Sequence, residues 1–589
     1  MCSATRRPQA EIRGQMPQFP AGHGEPSWPT ALLFVALAAT AVLVPMFFLG
    51  NASGHDFQFH LASWMDVAGQ WRQGIAFPRW AEWANWGFGE PRFIFYPPAS
   101  WMIGAALGSV LPWELAPEIY VWLALIAAGM SMWKLARDWL PGRHAVAAAL
   151  LFAVNPYNLA NVYYRSDFAE LLAVAFFPLL LWGALKIANG ERRRIPFLAV
   201  VFAGIWLSNA PAAVIATYSL VLVLAVACVG RHSLWPLVLG GTAMAAGFCL
   251  ASFYILPAAW EQRWVQIAQA VAVDLRPERN FIFTQSTDPE FLLFNWKISG
   301  VALGMILFTG VAAVISARKR RDFPEIWWPL LTLSAACVFM MFRPSVLVWR
   351  YFPELAFVQF PWRWLGLLGV AFAFLIAASI VLLRKRWSRW LAMAMVLGSI
   401  GVTGLLIGRD TWWNDDDVSV LVRAIGSGSG YMGMDEYAPV GYDRYALKGA
   451  PLDSDDSFAA PPAPRIVEFH SDSAKAAPVP GVKFQVERWS AEHKIFSEQS
   501  GSPVTLALRL LNYPAWEVQV DGNSVRALSA PPADRLLVPL APGSHHVDIR
   551  FRRTWDRTVG DLLSVFSAIA LGVFCFYCRR KALAECPRT

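Results

Sequence analysis

A polytopic α-helical membrane protein with about 12 spans and a small β-sandwich near its C-terminus is what this sequence predicts. Three observations predict it. Of 589 residues, 56% are apolar or aromatic and only 16% are charged, with a mean hydropathy of +0.40. Soluble domains carry about 25% charged residues, and a soluble particle could not hide this much apolar surface. The apolar residues also fall in runs close to the roughly 20 that cross the hydrocarbon. After residue 408 the chain turns polar and then alternates with period two. These facts exclude a disordered chain, a disulfide scaffold and a secreted enzyme. The net charge of +8 does not point to nucleic acid. Its basic residues cluster in short loops such as Arg192–Arg194 and Arg318–Arg321, as cytosolic loops do.

In chain order, residues 1–29 read as a Pro/Gly-rich cytosolic tail with Arg6, Arg7 and Arg13. The run 30–50 is too long for a signal-peptide core and reads as a retained anchor. Further spans are expected at 117–136, 143–158, 171–188, 195–210, 212–229, 234–257, 299–316, 326–342, 364–383, 390–408 and 561–578. Twelve crossings keep every basic loop and the N-terminus in the cytosol. The short run 99–111 must then lie along the outer interface or re-enter. That makes 51–116 one large outer loop of a transmembrane domain spanning 30–408. Within it Phe57, Leu61, Trp64, Ala68 and Trp71 form a helical stripe, with Asp66 and Gln70 on the other side. An amphipathic helix on the membrane surface is expected there.

Residues 409–558 hold 16 Lys+Arg against 20 Asp+Glu and read as an extracytoplasmic domain. Val504–Leu510, Trp516–Val520, Leu536–Leu540 and His546–Phe551 alternate, and Asp521-Gly522 signals a hairpin. A β-sandwich is expected over about 465–555, and 559–589 as a final span with a basic cytosolic tail. None of the seven cysteines lies in the outer segments, so no disulfide framework supports them. Cys575 and Cys578 lack a partner pair and read as apolar filler.

The candidate chemistry sits at the outer boundary. Asp56 and His60 are four residues apart, so a helix beginning here would project both from one side. Such a pair can share a divalent cation (Mg or Mn), or act as a base and its orienting partner. Asp at a helix start can equally be a cap. Arg79, Asn85, Glu90 and Tyr96 stand among glycines and aromatics. A sugar, with apolar faces and a hydroxyl rim, needs such a mixture, although an interfacial aromatic belt has it too. Arg165, Asp167 and Glu170 precede one span, where charge is costly unless it faces protein or water. Arg363 opens another, at the depth of a lipid phosphate. Ordinary snorkelling would also put an arginine there.

Taken in order, Asp56-x-x-x-His60, Pro78-Arg79-Trp80, Asn85-x-Gly87-x-Gly89-x-Pro91, Phe95-Tyr96-Pro97-Pro98, Tyr164-Arg165 with Glu170, and Gln359-Phe360-Pro361-Trp362-Arg363 resemble one bacterial membrane family. It is the family labelled 6-pyruvoyl-tetrahydropterin synthase-related domain proteins, similar to the GT-C class of integral-membrane glycosyltransferases. The resemblance covers most of 30–408. It implies a GT-C-like fold in the bacterial cytoplasmic membrane, with membrane lipids around it and a polyprenyl-phosphate sugar donor. It also implies a glycan, lipid or protein acceptor and a catalytic acid in the first outer loop, matched by Asp56. Arg165 and Arg363 match candidates for the donor phosphate. There is no Asp-x-Asp beside Asp56, and no three-His site that pterin chemistry would need.

The reading is thus an inverting glycosyltransferase. Two other classes compete with it. A lipid-linked glycan flippase would need charge near the bilayer midplane, where these runs have almost none. A non-catalytic subunit of polysaccharide assembly would need only binding.

Overall fold

The computed structural model describes residues 26–321, 323–383, 385–413, 416–443, 466–469, 483–530 and 534–584. Most of the expected N-terminal tail lies outside them. Ten described helices are long and apolar enough to cross a membrane. They run Trp28–Leu49, Ala116–Ala136, Gly142–Arg165, Phe168–Ala188, Ala210–Arg231, Pro289–Ser316, Pro324–Met341, Pro361–Leu382, Arg386–Arg409 and Trp555–Lys581. Trp235–Leu250 and Ser252–Trp264 make an eleventh if the pair, bent by 73°, is one span. The remaining apolar run forms the 14-residue helix Ile195–Ser208. At 1.5 Å per residue it is about 21 Å long, short of the roughly 30 Å hydrocarbon core. Asn209 ends it. Its backbone is extended, and its side chain caps the next helix by accepting from the Ala212 N–H at 2.9 Å.

Several of the basic loops meet at one end of the bundle. There Lys186 pairs with Asp138 at 2.8 Å, Asn189 donates to Glu325 at 2.8 Å, and Arg231 lies 3.9 Å from Glu325. At the other end Asp56, Arg165, Asn209, Asp288, Arg363 and Asp410 line one cavity. We expect Ala76→Cys, exposed near the cavity end, to react with a membrane-impermeant maleimide in intact cells. Arg193→Cys, exposed in a basic loop, should react only after permeabilisation. The reverse pattern would invert the orientation.

The segment after the first span departs from the surface helix expected of it. Phe57–Arg72 is helical, but His60, Asp66 and Gln70 are buried along with the apolar stripe. Trp64 packs so closely on the helix Pro98–Val110 that a Cβ on Gly104 would lie 2.0 Å from its ring. The polar side meets protein instead of headgroups. The Asp66 carboxylate accepts from Gln70 Nε2 (2.7 Å), the Glu82 and Trp83 N–H groups (3.2 and 3.0 Å) and the Tyr431 hydroxyl (2.9 Å). Periodicity located the helix. It could not say that both faces would be covered.

Beyond the bundle, nine strands among the described residues form two antiparallel sheets. β1 (Ile466–Phe469), β4 (Val504–Leu511), β8 (Arg535–Leu540) and β7 (Leu528–Ala530) make one, in that order. β2 (Lys483–Trp489), β3 (His493–Ser500), β9 (Gly543–Phe551), β5 (Trp516–Val520) and β6 (Asn523–Val525) make the other. Phe496, Leu506, Leu508, Val518, Val538 and Ile549 contribute to one shared core. The expected hairpin turn is present: Asp521 and Gly522 both have positive φ and join β5 to β6. Several contacts fasten the sheets to the rest of the chain. Trp80 packs edge-on against Trp516 at 5.3 Å, and a Cβ on Gly89 would lie 1.9 Å from its Nε1. Arg557, at the start of the last helix, donates to both oxygens of Glu261 (2.7 and 2.8 Å), which also accepts from Tyr513 at 2.6 Å.

Candidate functional site

The cavity at the non-basic end has a volume of ≈ 1190 Å³. One wall begins where the chain leaves the first span. Residues 54–56 lie along 164–166: the Asp56 N–H donates to the Arg165 carbonyl (2.8 Å) and the Gly54 N–H to Ser166 Oγ (3.0 Å). Only glycine fits at 54, because a Cβ there would lie 2.6 Å from the Arg165 carbonyl carbon. Gly54→Ala should therefore cost about 1–3 kcal/mol. Gly69→Ala, in the same helix with open space around it, should gain about 0.5–1 kcal/mol. Thermal unfolding of the two variants checks the difference, and equal melting temperatures would contradict it.

Asp56 stands at the N-cap position of Phe57–Arg72 but makes no capping hydrogen bond. Its side chain is 40% exposed, and Arg165 NH2 lies 3.5 Å from it. At this N-cap position Asp56 has φ −103° and ψ 4°, its carbonyl accepts from the His60 N–H at 3.1 Å, and its side chain lines the cavity. The His60 ring turns to Asp167, with Nε2 3.7 Å from Oδ1.

Behind Asp56 lies a buried ionic cluster. Arg165 donates to Asn161 (2.9 Å), Glu170 (2.7 Å) and Asp167 (2.7 Å), and lies over the Trp362 ring at 4.7 Å. Arg363 approaches Glu170 at 3.0 Å and Asp167 at 3.6 Å, and donates to the Val358 carbonyl at 3.0 Å. Tyr157 donates to the other Glu170 oxygen. Burial would raise the Asp167 carboxyl, yet Arg165, His60 and Arg363 hold it well below the usual carboxylate range. Two arginines balance two carboxylates, so each buried charge has a partner. Asp56 and Asp167 both line the cavity, and Asp56 is the more exposed of the two, at 40% against 4%.

The other predicted residues divide. Tyr96, Arg165, Asp167 and Arg363 line the cavity with Asp56, whereas His60 and Glu170 stand behind it. Arg79, Asn85 and Glu90 are not in its wall. The Arg79 N–H donates to Glu492 at 2.7 Å, and burial lowers its guanidinium pKa to about 10. Asn85 and Glu90 are buried in a structural network: Asn85 donates to Glu90 (3.0 Å), and Arg92 donates to Glu90 (2.7 Å). The sequence reading missed Lys297, Asp410, Glu436 and Tyr437, which do line the cavity. Lys297 and Asp410 pair at 2.6 Å. A lysine inside an apolar helix was the available signal. The other three follow the bundle in sequence and reach the site only through folding.

No group of three His, Cys, Asp or Glu among the described residues could hold a metal ion. Asp56 lines the cavity, whereas His60 stands behind it with Nε2 3.7 Å from Asp167.

A bundle of membrane-spanning helices whose charged ends enclose a cavity, joined to a β-sandwich, defines an integral membrane protein with an interfacial site. The chain belongs to the 6-pyruvoyl-tetrahydropterin synthase related domain membrane protein family, whose model matches residues 93–410. An uncharacterized protein of Lactococcus lactis subsp. cremoris (strain MG1363) is 29% identical over 187 residues, 30% of each chain. Among solved structures, the archaeal oligosaccharyltransferase AglB of Archaeoglobus fulgidus, in complex with an inhibitory peptide and a dolichol-phosphate, is similar over 69% of this chain and 56% of its own, at 14% identity and a TM-score of 0.37. The Archaeoglobus fulgidus oligosaccharyltransferase tethered with an acceptor peptide gives 70% and 60%, 14% identity and a TM-score of 0.42. The chain thus spans under a third of the curated relative and somewhat over half of the solved ones.

Proposed function

We propose that this protein is a GT-C-type membrane glycosyltransferase. It moves a sugar from a polyprenyl-phosphate donor to a glycan, lipid or protein acceptor outside the bacterial cytoplasmic membrane. One observation carries the reading. A single cavity joins the solvent-facing Asp56 and its ionic surroundings to an apolar wall that includes Trp206, Pro211, Val214, Ile255 and Leu293. A lipid-linked sugar is amphiphilic in the same sense, with a charged head and a hydrocarbon tail. The family resemblance, which implies a catalytic acid in the first outer loop, supports the same residue.

In this mechanism an acceptor hydroxyl attacks the anomeric carbon while Asp56 takes its proton. The bond from that carbon to the phosphate oxygen breaks, and the polyprenyl phosphate leaves with the electron pair. A single displacement inverts the anomeric centre. Arg165, Arg363 and Lys297 line the same cavity, each already held by a carboxylate, and supply the leaving phosphate with fixed N–H donors. No step is assigned to a metal.

Mass spectrometry of surface and lipid-linked glycans, in cells with and without the gene, tests this. Deletion should remove one sugar from a surface glycan and raise the matching polyprenyl-phosphate sugar. Unchanged glycans with an unchanged lipid pool would count against it.

A further inference from the structure

Part of the cavity wall comes from a segment outside the helical bundle. Residues 429–442 cross the first loop and are held there at several points. The Tyr431 N–H donates to the Trp83 carbonyl and the Trp86 N–H to the Tyr431 carbonyl, both at 2.9 Å. The Tyr431 hydroxyl donates to Asp66, the Tyr442 hydroxyl to Asn85 (2.9 Å), and the Met434 N–H to Glu90 (3.0 Å). A Cβ on Gly433 would lie 2.2 Å from Asn85 Oδ1 and 2.4 Å from Glu90 Oε2. Asn85 and Trp86 themselves adopt left-handed backbone angles, φ 50° and 53°. Such strain persists only where surrounding contacts impose it. The buried polar groups of the first loop therefore act as a clamp, and the clamp delivers Glu436 and Tyr437 into the cavity.

We propose that Glu436, Tyr437 and Tyr96 form the saccharide-binding wall of this cavity. The inference rests on the glycosyltransferase reading and adds to it the place where a sugar ring lies. Tyr96 and Tyr437 meet edge to face at 6.5 Å, and Phe95 stacks on Tyr437 at 6.2 Å, giving aromatic surface for the C–H faces of a pyranose. All three members of the wall line the cavity. Among the described residues none of their three side chains has another side chain as a hydrogen-bond partner; the Glu436 carboxyl accepts from its own backbone N–H and keeps further capacity for ligand hydroxyls. Burial raises the Glu436 carboxyl to about 7, with Glu90 and Asp435 also raising it and Arg92 opposing. Near neutral pH it can thus both donate and accept, as a neutral polyol requires. Asp56, which lines the same cavity, is left for the proton.

The sugar belongs to the donor or to the acceptor, and binding separates these sources. The full chain in lipid nanodiscs is titrated with undecaprenyl phosphate, with the undecaprenyl-phosphate forms of glucose, galactose, mannose and N-acetylglucosamine, and with the corresponding methyl glycosides. If the wall holds the donor's sugar, at least one sugar-bearing lipid binds roughly tenfold more tightly than undecaprenyl phosphate, as a buried hydrogen bond allows. If it holds the acceptor's sugar, a methyl glycoside binds saturably instead. In either case Glu436→Ala should abolish the sugar-dependent part and leave undecaprenyl phosphate binding within about twofold, which also reports a folded cavity. Glu436→Gln, which keeps a donor and an acceptor, should retain most of it. A Glu436→Ala protein that keeps the sugar-dependent binding overturns the proposal. So does a Gln variant as weak as Ala while phosphate binding persists. Wild-type protein that binds undecaprenyl phosphate with no contribution from sugar of either source overturns the saccharide wall alone. Wild-type protein that binds no polyprenyl phosphate and no saccharide overturns the glycosyltransferase reading as well.

Discussion

Asp56→Asn should insert, fold and purify like the natural protein and transfer no measurable sugar. The side chain makes no capping hydrogen bond and is 40% exposed, with Arg165 at 3.5 Å as its ion-pair partner. A partly exposed ion pair of that length is worth about 1 kcal/mol at most, so the melting temperature should barely move. The charge, however, is what a base needs. Loss of general-base help typically costs roughly 10²–10⁴ in rate, about 3–5 kcal/mol of barrier. Transfer of radiolabelled sugar from a polyprenyl-phosphate donor is the direct measurement. Retention of more than about a tenth of the natural rate, far above that range, would remove Asp56 from the mechanism.

Asp66→Asn should do the opposite and damage the fold before it touches the chemistry. The periodicity of 57–71 puts Asp66 on a polar face, where an amide would be harmless. In the structure that face is interior. Asp66 is 1% exposed and accepts from four donors, two to each oxygen. Burial pushes its carboxyl up to about 6, so it is still ionised at pH 7. An amide would turn its NH₂ group toward two of those donors. Losing two buried hydrogen bonds and stranding their partners should cost about 3–5 kcal/mol. The segment held by Tyr431 should loosen first, so limited proteolysis within 427–443 is the sensitive readout. An Asp66→Asn protein with unchanged melting temperature and proteolysis would show that the network does not hold the outer segment.

By itself the sequence determined the class of protein, most of the spans, and the sorting of basic loops to one end. Those features depend on local quantities: twenty apolar residues, a cluster of arginines, a period of two or 3.6. It also picked out five charged residues of the cavity and the cluster behind it, Asp56, Arg165, Asp167, Glu170 and Arg363, because charge at span ends is costly without partners, but Lys297, Asp410 and Glu436 escaped it. Its strand reading was local in the same way. Val504–Leu510 and His546–Phe551 alternate and were legible, whereas the short strands Asn523–Val525 and Leu528–Ala530 carry too few residues for a period to show. Only the tertiary structure decided which partner each group found. His60 faces Asp167, while Asp56 faces Arg165 and the cavity. Asn85 and Glu90, sugar-like in their aromatic setting, became a clamp because residues 429–442 lie across them. Glu436 entered the cavity from more than 300 residues beyond Asp56 in the chain. Hydrogen bonds and ion pairs between such distant residues depend on how the backbones are packed together, and no window of sequence contains that packing.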